Sequence, residues 1–266
     1  MSFTRSDATC TESGQREQFN IITAFIDGSN IYGSDRTRAE GLRLKSKGLL
    51  KTNSRGPTLP NNKETGNIDP IRATEFVAGD IRATEQPGLA SLHSLFVLEH
   101  NRLATRLSSE NSSLLDEELY QRARRLVIGE IQNIVYSEFL PIVMGPTKME
   151  EFGLTLPLSG TTTYDNTVNP SIFNEFATFA FRFGHSLIPD FFEPSRRPQR
   201  TAPNICPLKD NFFKIEECVL GKDLSGKINS IDMNYSAGGS WNSKTIGIKR
   251  NHKVHYIKHI KFSFYL

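Results

Sequence analysis

Four groups of residues in this 266-residue chain have types and spacings that could do chemistry. Arg82 and Glu85 lie in the loop Ala78-Gly79-Asp80-Ile81-Arg82-Ala83-Thr84-Glu85-Gln86-Pro87, just ahead of a run with helical periodicity. Loop residues held by a rigid element are a common way to build a site, whereas an isolated Arg–Glu pair at a surface contributes little. Arg182 and His185 stand three residues apart in Phe181-Arg182-Phe183-Gly184-His185-Ser186-Leu187, so on a helix both leave from nearly the same face. A guanidinium grips carboxylates well, and an imidazole among phenylalanines either lines an apolar pocket or packs in the core. Thr23, Phe25, Asp27 and Ser29 alternate along the chain. Their hydroxyls, carboxylate and backbone carbonyls are the hard oxygens calcium takes, and the same residues can serve as an N-cap and turn. His252, His255 and His259, at spacings of three and four, could chelate a metal on a helix, but they lie in an atypical basic tail.

The elements that must position these residues are read from periodicity. Pro87 stands where a helix can begin, because a proline in the first turn loses no hydrogen bond. Leu89, Leu92, Phe96, Leu103 and Leu107 then form one apolar stripe. A second long helix is expected over 117–138, with Asp116 as N-cap and Leu119, Ala123, Leu126, Val127, Ile131 and Ile134 on one side. A helix opening at Pro170-Ser171-Ile172 is expected to carry Phe173, Phe176, Ala180, Phe183 and His185, closed by Pro189. Shorter helices are expected at 17–26, 34–47 and 147–152, and a surface loop at 52–70. Ile-Arg-Ala-Thr-Glu occurs at 71–75 and again at 81–85. Only the second copy has Ala-Gly-Asp before it and Gln-Pro-Gly-Leu after it, so the chemistry is assigned there.

Length allows a sizeable core in one large domain or two small ones. Residues 225–266 hold seven Lys or Arg and one acid, Asp232, so the net +3 splits into +6 there and −3 in the remainder. No aromatic-basic RNA motif or zinc-finger spacing accompanies the basic tail, which argues against nucleic acid. The tail has no helical stripe and reads either as a truncated or misread end or as a natural disordered segment. No uninterrupted apolar run reaches ~18 residues, so no membrane span is expected, and the first residues lack the apolar stretch of a signal peptide. Three cysteines, Cys10, Cys206 and Cys218, leave one thiol unpaired or paired outside the chain. Asn111-Ser-Ser and Asn234-Tyr-Ser are glycosylation sequons that matter only in a secreted protein.

The stretch Gly79 to Pro87, followed by Glu99-His100-Asn101-Arg102-Leu103-Ala104, resembles the central motif of the animal haem peroxidases, the myeloperoxidase and peroxidasin superfamily. Thr23-Ala24-Phe25-Ile26-Asp27-Gly28-Ser29-Asn30-Ile31-Tyr32-Gly33-Ser34 upstream and Phe181-Arg182-Phe183-Gly184-His185-Ser186-Leu187-Ile188 downstream match two further motifs in the same order. The resemblance covers roughly residues 1–224 and fades beyond them, which separates a partial peroxidase domain from the 225–266 tail. It implies a mainly α fold, the central part of the peroxidase fold, with helices around a haem pocket.

By resemblance, His185 is the proximal iron ligand, Arg182 pairs with a haem propionate, and Arg82 is the distal cation. Glu85 matches the glutamate that forms an ester with a haem methyl, so the cofactor is haem b or covalently linked haem. Gln86 stands where the myeloperoxidase branch has a methionine, which excludes the sulfonium link. Glu75 replaces a family cysteine, so that disulfide is not expected. Thr23, Phe25, Asp27 and Ser29 match the calcium loop. The family's distal histidine, with the aspartate beside it, lies upstream of Met1. The asparagine that hydrogen-bonds the proximal histidine has no match here. His93 and His100 do not replace the distal histidine and are expected to pack or hydrogen-bond. The implied activity is oxidation of an unknown donor by hydrogen peroxide, with an extracellular location. The alternative is a catalytically inactive piece that binds haem or acts as an interaction module, and little turnover is expected of this chain alone. A weaker reading makes the basic tail the functional part, binding anionic surfaces.

Overall fold

The computed structural model describes residues 7–54, 56, 58–70, 76–157, 164–195, 206–215 and 232–234. A short hairpin comes first, β1 (Ala8–Cys10) and β2 (Arg16–Gln18), then α1 (Ser29–Tyr32) and α2 (Arg36–Leu42). The two longest helices come next, α3 (Pro87–Glu110) and α4 (Asp116–Ile134). A π-helical turn, Val135–Phe139, carries α4 on into α5 (Leu140–Met144), and α6 (Pro146–Glu151) closes this half. Then come α7 (Asn174–Thr178), a 3-10 segment (Ala180–Leu187), β3 (Phe191–Ser195), β4 (Cys206–Pro207), α8 (Leu208–Asn211) and β5 (Asp232–Asn234). β3 pairs antiparallel with both β4 and β5 in a three-stranded sheet. The described residues are mainly helical, as the sequence reading expects.

The core is the seam between α3 and α4. Gln86 caps α3, its Oε1 accepting the Gly88 N–H at 2.7 Å, with Pro87 in the first turn. Leu89, Phe96 and Leu103 are buried as the stripe requires, and Val97 and Ala104 join them; Leu92 and Leu107 are half-buried. Ala104, Ala123 and Val127 have no exposed surface, so the two helices approach closely there. Leu119, Ile131 and Ile134 complete the buried face of α4, each large side chain adding about 1.5–3 kcal/mol. Leu126 departs from expectation: it is 46% exposed, one position off the buried 123–127 line. The run Asp116–Met144 is long and apolar enough to cross a bilayer by length and composition, but the inner stripe of its first half is spent on α3.

Four local expectations are corrected. Residues 17–26 form no helix, because Phe19, Ile21 and Phe25 are all more than half exposed and find no face to bury; short helices depend on such burial. The 34–47 helix stops at Leu42, where the chain turns extended and Arg43 bridges to Leu50. Gly48 takes φ +70° there, and a Cβ on it would lie 2.5 Å from the Tyr120 nitrogen. The 52–70 segment is not a surface loop: Thr58, Leu59, Asn62, Thr65 and Asp69 are buried. Asn62 bonds both the N–H (3.0 Å) and the carbonyl (2.5 Å) of Asp69, and the Thr65 hydroxyl donates to the Asn62 carbonyl at 2.8 Å, while the buried Thr58 hydroxyl has no partner among the described residues. Asp116 is the first residue of α4 rather than its cap. Its carboxylate accepts the Gly48 N–H at 2.6 Å and Arg43 Nη2 at 2.9 Å, while Glu118 reaches back to the Leu115 N–H.

Cys206 is buried and disulfide-bonded, whereas Cys10 is free and exposed. The first Ile-Arg-Ala-Thr-Glu copy and the tail histidines lie outside the described residues.

Candidate functional site

The Arg82 loop is held from below and from the side. Gly79 presses onto the backbone of α1, where a Cβ would lie 2.1 Å from the Ser29 carbonyl oxygen and 2.4 Å from the Gly33 nitrogen. Asp80 N–H donates to the Asn30 carbonyl at 3.0 Å. Arg38, a buried cation on α2, donates to the Ala78 carbonyl at 2.8 Å and pairs with Asp69 at 3.6 Å. On the other side Phe213 N–H donates to the Glu85 carbonyl at 3.1 Å.

Within this frame Asp80 grips Arg82 with both carboxylate oxygens. Oδ1 accepts the Arg82 backbone N–H at 2.7 Å and Nε at 3.0 Å, and Oδ2 accepts Nη2 at 2.8 Å. Burial pushes the Asp80 carboxyl up, but the hydrogen bonds and charge of Arg82 outweigh it and hold the carboxyl below its usual range. The Arg82 side chain remains one-third exposed, so a fixed guanidinium is presented at the mouth of α3. Glu85 is half-buried in the same loop, and its carboxylate accepts no hydrogen bond from the described residues. Thr84 is buried behind it with its hydroxyl unpartnered among them.

His93 and His100 face inward from α3. His93 donates Nδ1–H to the Leu89 carbonyl at 2.8 Å, and its Nε2 has no partner among the described residues. Burial drives its pKa down, and Asp80 and Arg82 are close enough to act on it. His100 is fully buried, bonded to Tyr32 Oη at 2.9 Å and to the Gly48 carbonyl at 2.8 Å. Packing and hydrogen bonding are thus what both do.

The alternating oxygens upstream converge. Thr23 Oγ1 donates to Asp27 Oδ2 at 2.9 Å and lies 3.3 Å from Ser29 Oγ and 3.4 Å from the Phe25 carbonyl oxygen. Asp27 Oδ1 accepts the Ser29 N–H at 2.9 Å. Three hard oxygens therefore lie around the Thr23 hydroxyl, four counting the hydroxyl itself, on the segment that leads into α1 and so onto Gly79.

The segment of Arg182 and His185 departs from expectation. Residues 174–187 are not one α-helix but α7 and a 3-10 segment, broken at Phe179. Phe173 and Phe179 are each 83% exposed, and Phe176 and Phe183 are nearly half exposed. Helical spacing is present, but the apolar face meets no described partner large enough to bury it. His185 is exposed near the end of the 3-10 segment, and Arg182 donates Nε–H to the Ala177 carbonyl at 3.1 Å. Asn174 Nδ2 donates to Gln18 Oε1, which ties α7 to the N-terminal hairpin.

A profile described as animal haem peroxidase matches residues 1–235. The chain belongs to the animal haem peroxidase family. Myeloperoxidase of Mus musculus is 38% identical over 240 residues, covering 82% of this chain and 32% of that protein. Chorion peroxidase of Aedes aegypti is 40% identical over 202 residues, covering 75% of this chain and 25% of that protein. The chain thus spans a third or less of these relatives' length. Among solved structures, peroxidase A of Dictyostelium discoideum superposes with a TM-score of 0.59 at 32% identity, over 77% of this chain and 39% of that one. A fatty acid alpha-dioxygenase of Oryza sativa gives 0.59 at 24% identity, over 80% and 38%, and shares the fold. The family match runs to residue 235, past the point where the charge asymmetry begins.

Family membership implies haem, and the donor set present suits it. An imidazole, two guanidiniums, a carboxylate and open aromatic surface are the chemistry that holds iron, propionates and a porphyrin face. Thr84 Oγ1 and His93 Nε2 leave unmet polar capacity behind the Arg82 loop. Motif reading missed Asp80 as the partner of Arg82 and Arg38 as a brace. A buried-side arginine in α2 and an aspartate two residues before Arg82 were the available signals.

Proposed function

We propose that this chain carries haem-dependent peroxidase chemistry, the oxidation of a donor by hydrogen peroxide. The observation that supports it best is the one-third-exposed Arg82 guanidinium fixed by Asp80 at the mouth of α3. Haem, when bound, supplies the iron that reacts with peroxide. The chain's part is positional and electrostatic. Arg82 would stabilise negative charge developing on a peroxide oxygen beside it, and would need no reorganisation because Asp80 already holds it. With haem bound, His185 would supply a nitrogen ligand to the iron and Arg182 would pair with a propionate. Glu85, with its carboxylate free of hydrogen bonds from the described residues, is the group for a covalent ester. Thr23, the Phe25 carbonyl, Asp27 and Ser29 hold calcium, which stiffens the segment under Gly79. An extracellular setting suits the disulfide at Cys206.

The exposure of His185 favours a second reading, in which the chain by itself binds haem but turns over little. Reconstitution with haem separates the two. Peroxide-dependent donor oxidation that falls in Arg82→Ala supports the first reading. A haem complex with no Arg82-dependent turnover supports the second, and absence of any haem complex removes both.

A further inference from the structure

Tyr32 of α1 and His100 of α3 meet in the core with at most 1% of either exposed. The tautomer is fixed by the surroundings. His100 Nε2 lies 2.8 Å from the Gly48 carbonyl, which can only accept, so Nε2 carries the proton. Nδ1 therefore presents a lone pair, and the Tyr32 hydroxyl donates to it at 2.9 Å. Burial pushes the Tyr32 phenol far up and the His100 imidazole down to about 4. A phenol becomes strongly acidic when it loses an electron, and His100 Nδ1 is the base hydrogen-bonded to its hydroxyl, so the proton moves as the electron leaves.

We propose that Tyr32 and His100 form a proton-coupled redox pair. One-electron oxidation of Tyr32 breaks its O–H bond and forms an N–H bond at His100 Nδ1. A neutral phenoxyl radical and an imidazolium result, the electron passes to a strong one-electron oxidant, and no proton leaves the pair. Return of one electron reverses both steps.

The neighbours set how strong the oxidant must be. From α4, the Tyr120 ring stands edge-on to Tyr32 at 6.0 Å, and the Arg124 guanidinium lies 5.5 Å from the Tyr32 ring centre. Arg43 stacks on Tyr120 at 4.0 Å and is neutralised by Asp116 and Glu117. Glu130 also acts on Tyr32 from α4. Arg124 and Arg43 oppose the imidazolium and raise the potential, while Asp116 and Glu117 offset them, joined by Glu130 where its carboxyl, pushed up to about 7, is ionised. The pair also lies directly behind the Arg82 loop, since Gly79 and Asp80 rest on α1 at Ser29 and Asn30. It is placed to hold an oxidising equivalent in the core, away from the exposed tyrosine and phenylalanine rings.

The test needs no haem. The full chain, with its histidines labelled with nitrogen-15, is oxidised by flash-generated tris(bipyridine)ruthenium(III) and followed by EPR and ENDOR. The expected result is a persistent tyrosyl signal, coupled to one exchangeable proton and to histidine nitrogen. The signal is lost in Tyr32→Phe and becomes short-lived in His100→Gln. A persistent signal that survives Tyr32→Phe overturns the proposal, as does the absence of any persistent tyrosyl in the unsubstituted protein. Should either variant fail to fold by circular dichroism, the nitrogen coupling in the unsubstituted chain decides: its presence supports the pair and its absence overturns it.

Discussion

Asp80 and Arg82 are joined by two side-chain hydrogen bonds and a third to the Arg82 backbone, with Asp80 nearly buried and Arg82 one-third open. A bidentate carboxylate grip of this kind gives direction as well as energy. It lets a flexible side chain act as a fixed charge. Arg82→Ala therefore removes a charge stabiliser and also strands a buried carboxylate. Peroxide turnover of the haem-reconstituted protein is expected to fall by about 10²–10³. Stability is expected to fall by about 2 kcal/mol in urea titration, and adding Asp80→Asn should restore most of the stability but none of the turnover.

Calcium binding is expected at the oxygen cluster around Thr23. Terbium luminescence or calorimetry should detect one site in the native chain, and Asp27→Ala should abolish it. Because only the folded state presents the cluster, saturating calcium at about 100-fold over Kd should add about 2.7 kcal/mol to stability. An unchanged melting temperature with calcium would remove calcium from the account.

Much of this was legible in the sequence, for identifiable reasons. The helices α3 and α4 have apolar positions at helical spacing and each has a partner face, so pattern and packing agree. The Arg82 loop stands out through its glycine, its charges and Pro87. The 173–183 phenylalanines have the same spacing but no described face to bury, and the chain breaks into α7 and a 3-10 segment instead. Polar residues at 58–69 suggested solvent, yet Asn62, Thr65 and Asp69 are buried because they find hydrogen-bond partners within the segment, which composition does not record. Asp116 looked like a cap and spends its carboxylate on Gly48 and Arg43, more than sixty residues away in sequence.

Glu130 sets a pH dependence. Burial and then repulsion from Glu99 raise its carboxyl to about 7 from an ordinary 4.5. The folded state binds this proton more tightly, so Glu130 favours folding below pH 4.5 and that contribution is lost as pH rises through about 7. His100, held down at about 4, has the opposite sign: its contribution is present above 6.5 and lost as pH falls towards 4. Between these limits the two oppose each other. Glu130→Gln should leave stability rising with pH from about 4 to 6.5, and should stabilise the protein above pH 7 by about 1 kcal/mol, a partly exposed carboxyl being screened. Thermal melts from pH 4 to 8 check both.

Gly79 is where the two candidate sites touch. Gly79→Ala puts a methyl 2.1 Å from the Ser29 carbonyl oxygen, against backbone that cannot swing aside. A loss of about 3 kcal/mol or more is expected in chemical denaturation. In chain that still folds, calcium affinity and the Arg82-dependent step should weaken together. Loss of one without the other would separate the two sites.

The central claim is that His185 supplies the axial nitrogen to haem. Its most direct test is a haem titration of the full chain followed by Soret absorbance and EPR, comparing native protein with His185→Gly in the presence and absence of free imidazole. The account predicts a histidine-ligated spectrum in the native chain, its loss in the variant, and its return when imidazole fills the gap. A native spectrum that persists unchanged in His185→Gly would contradict it.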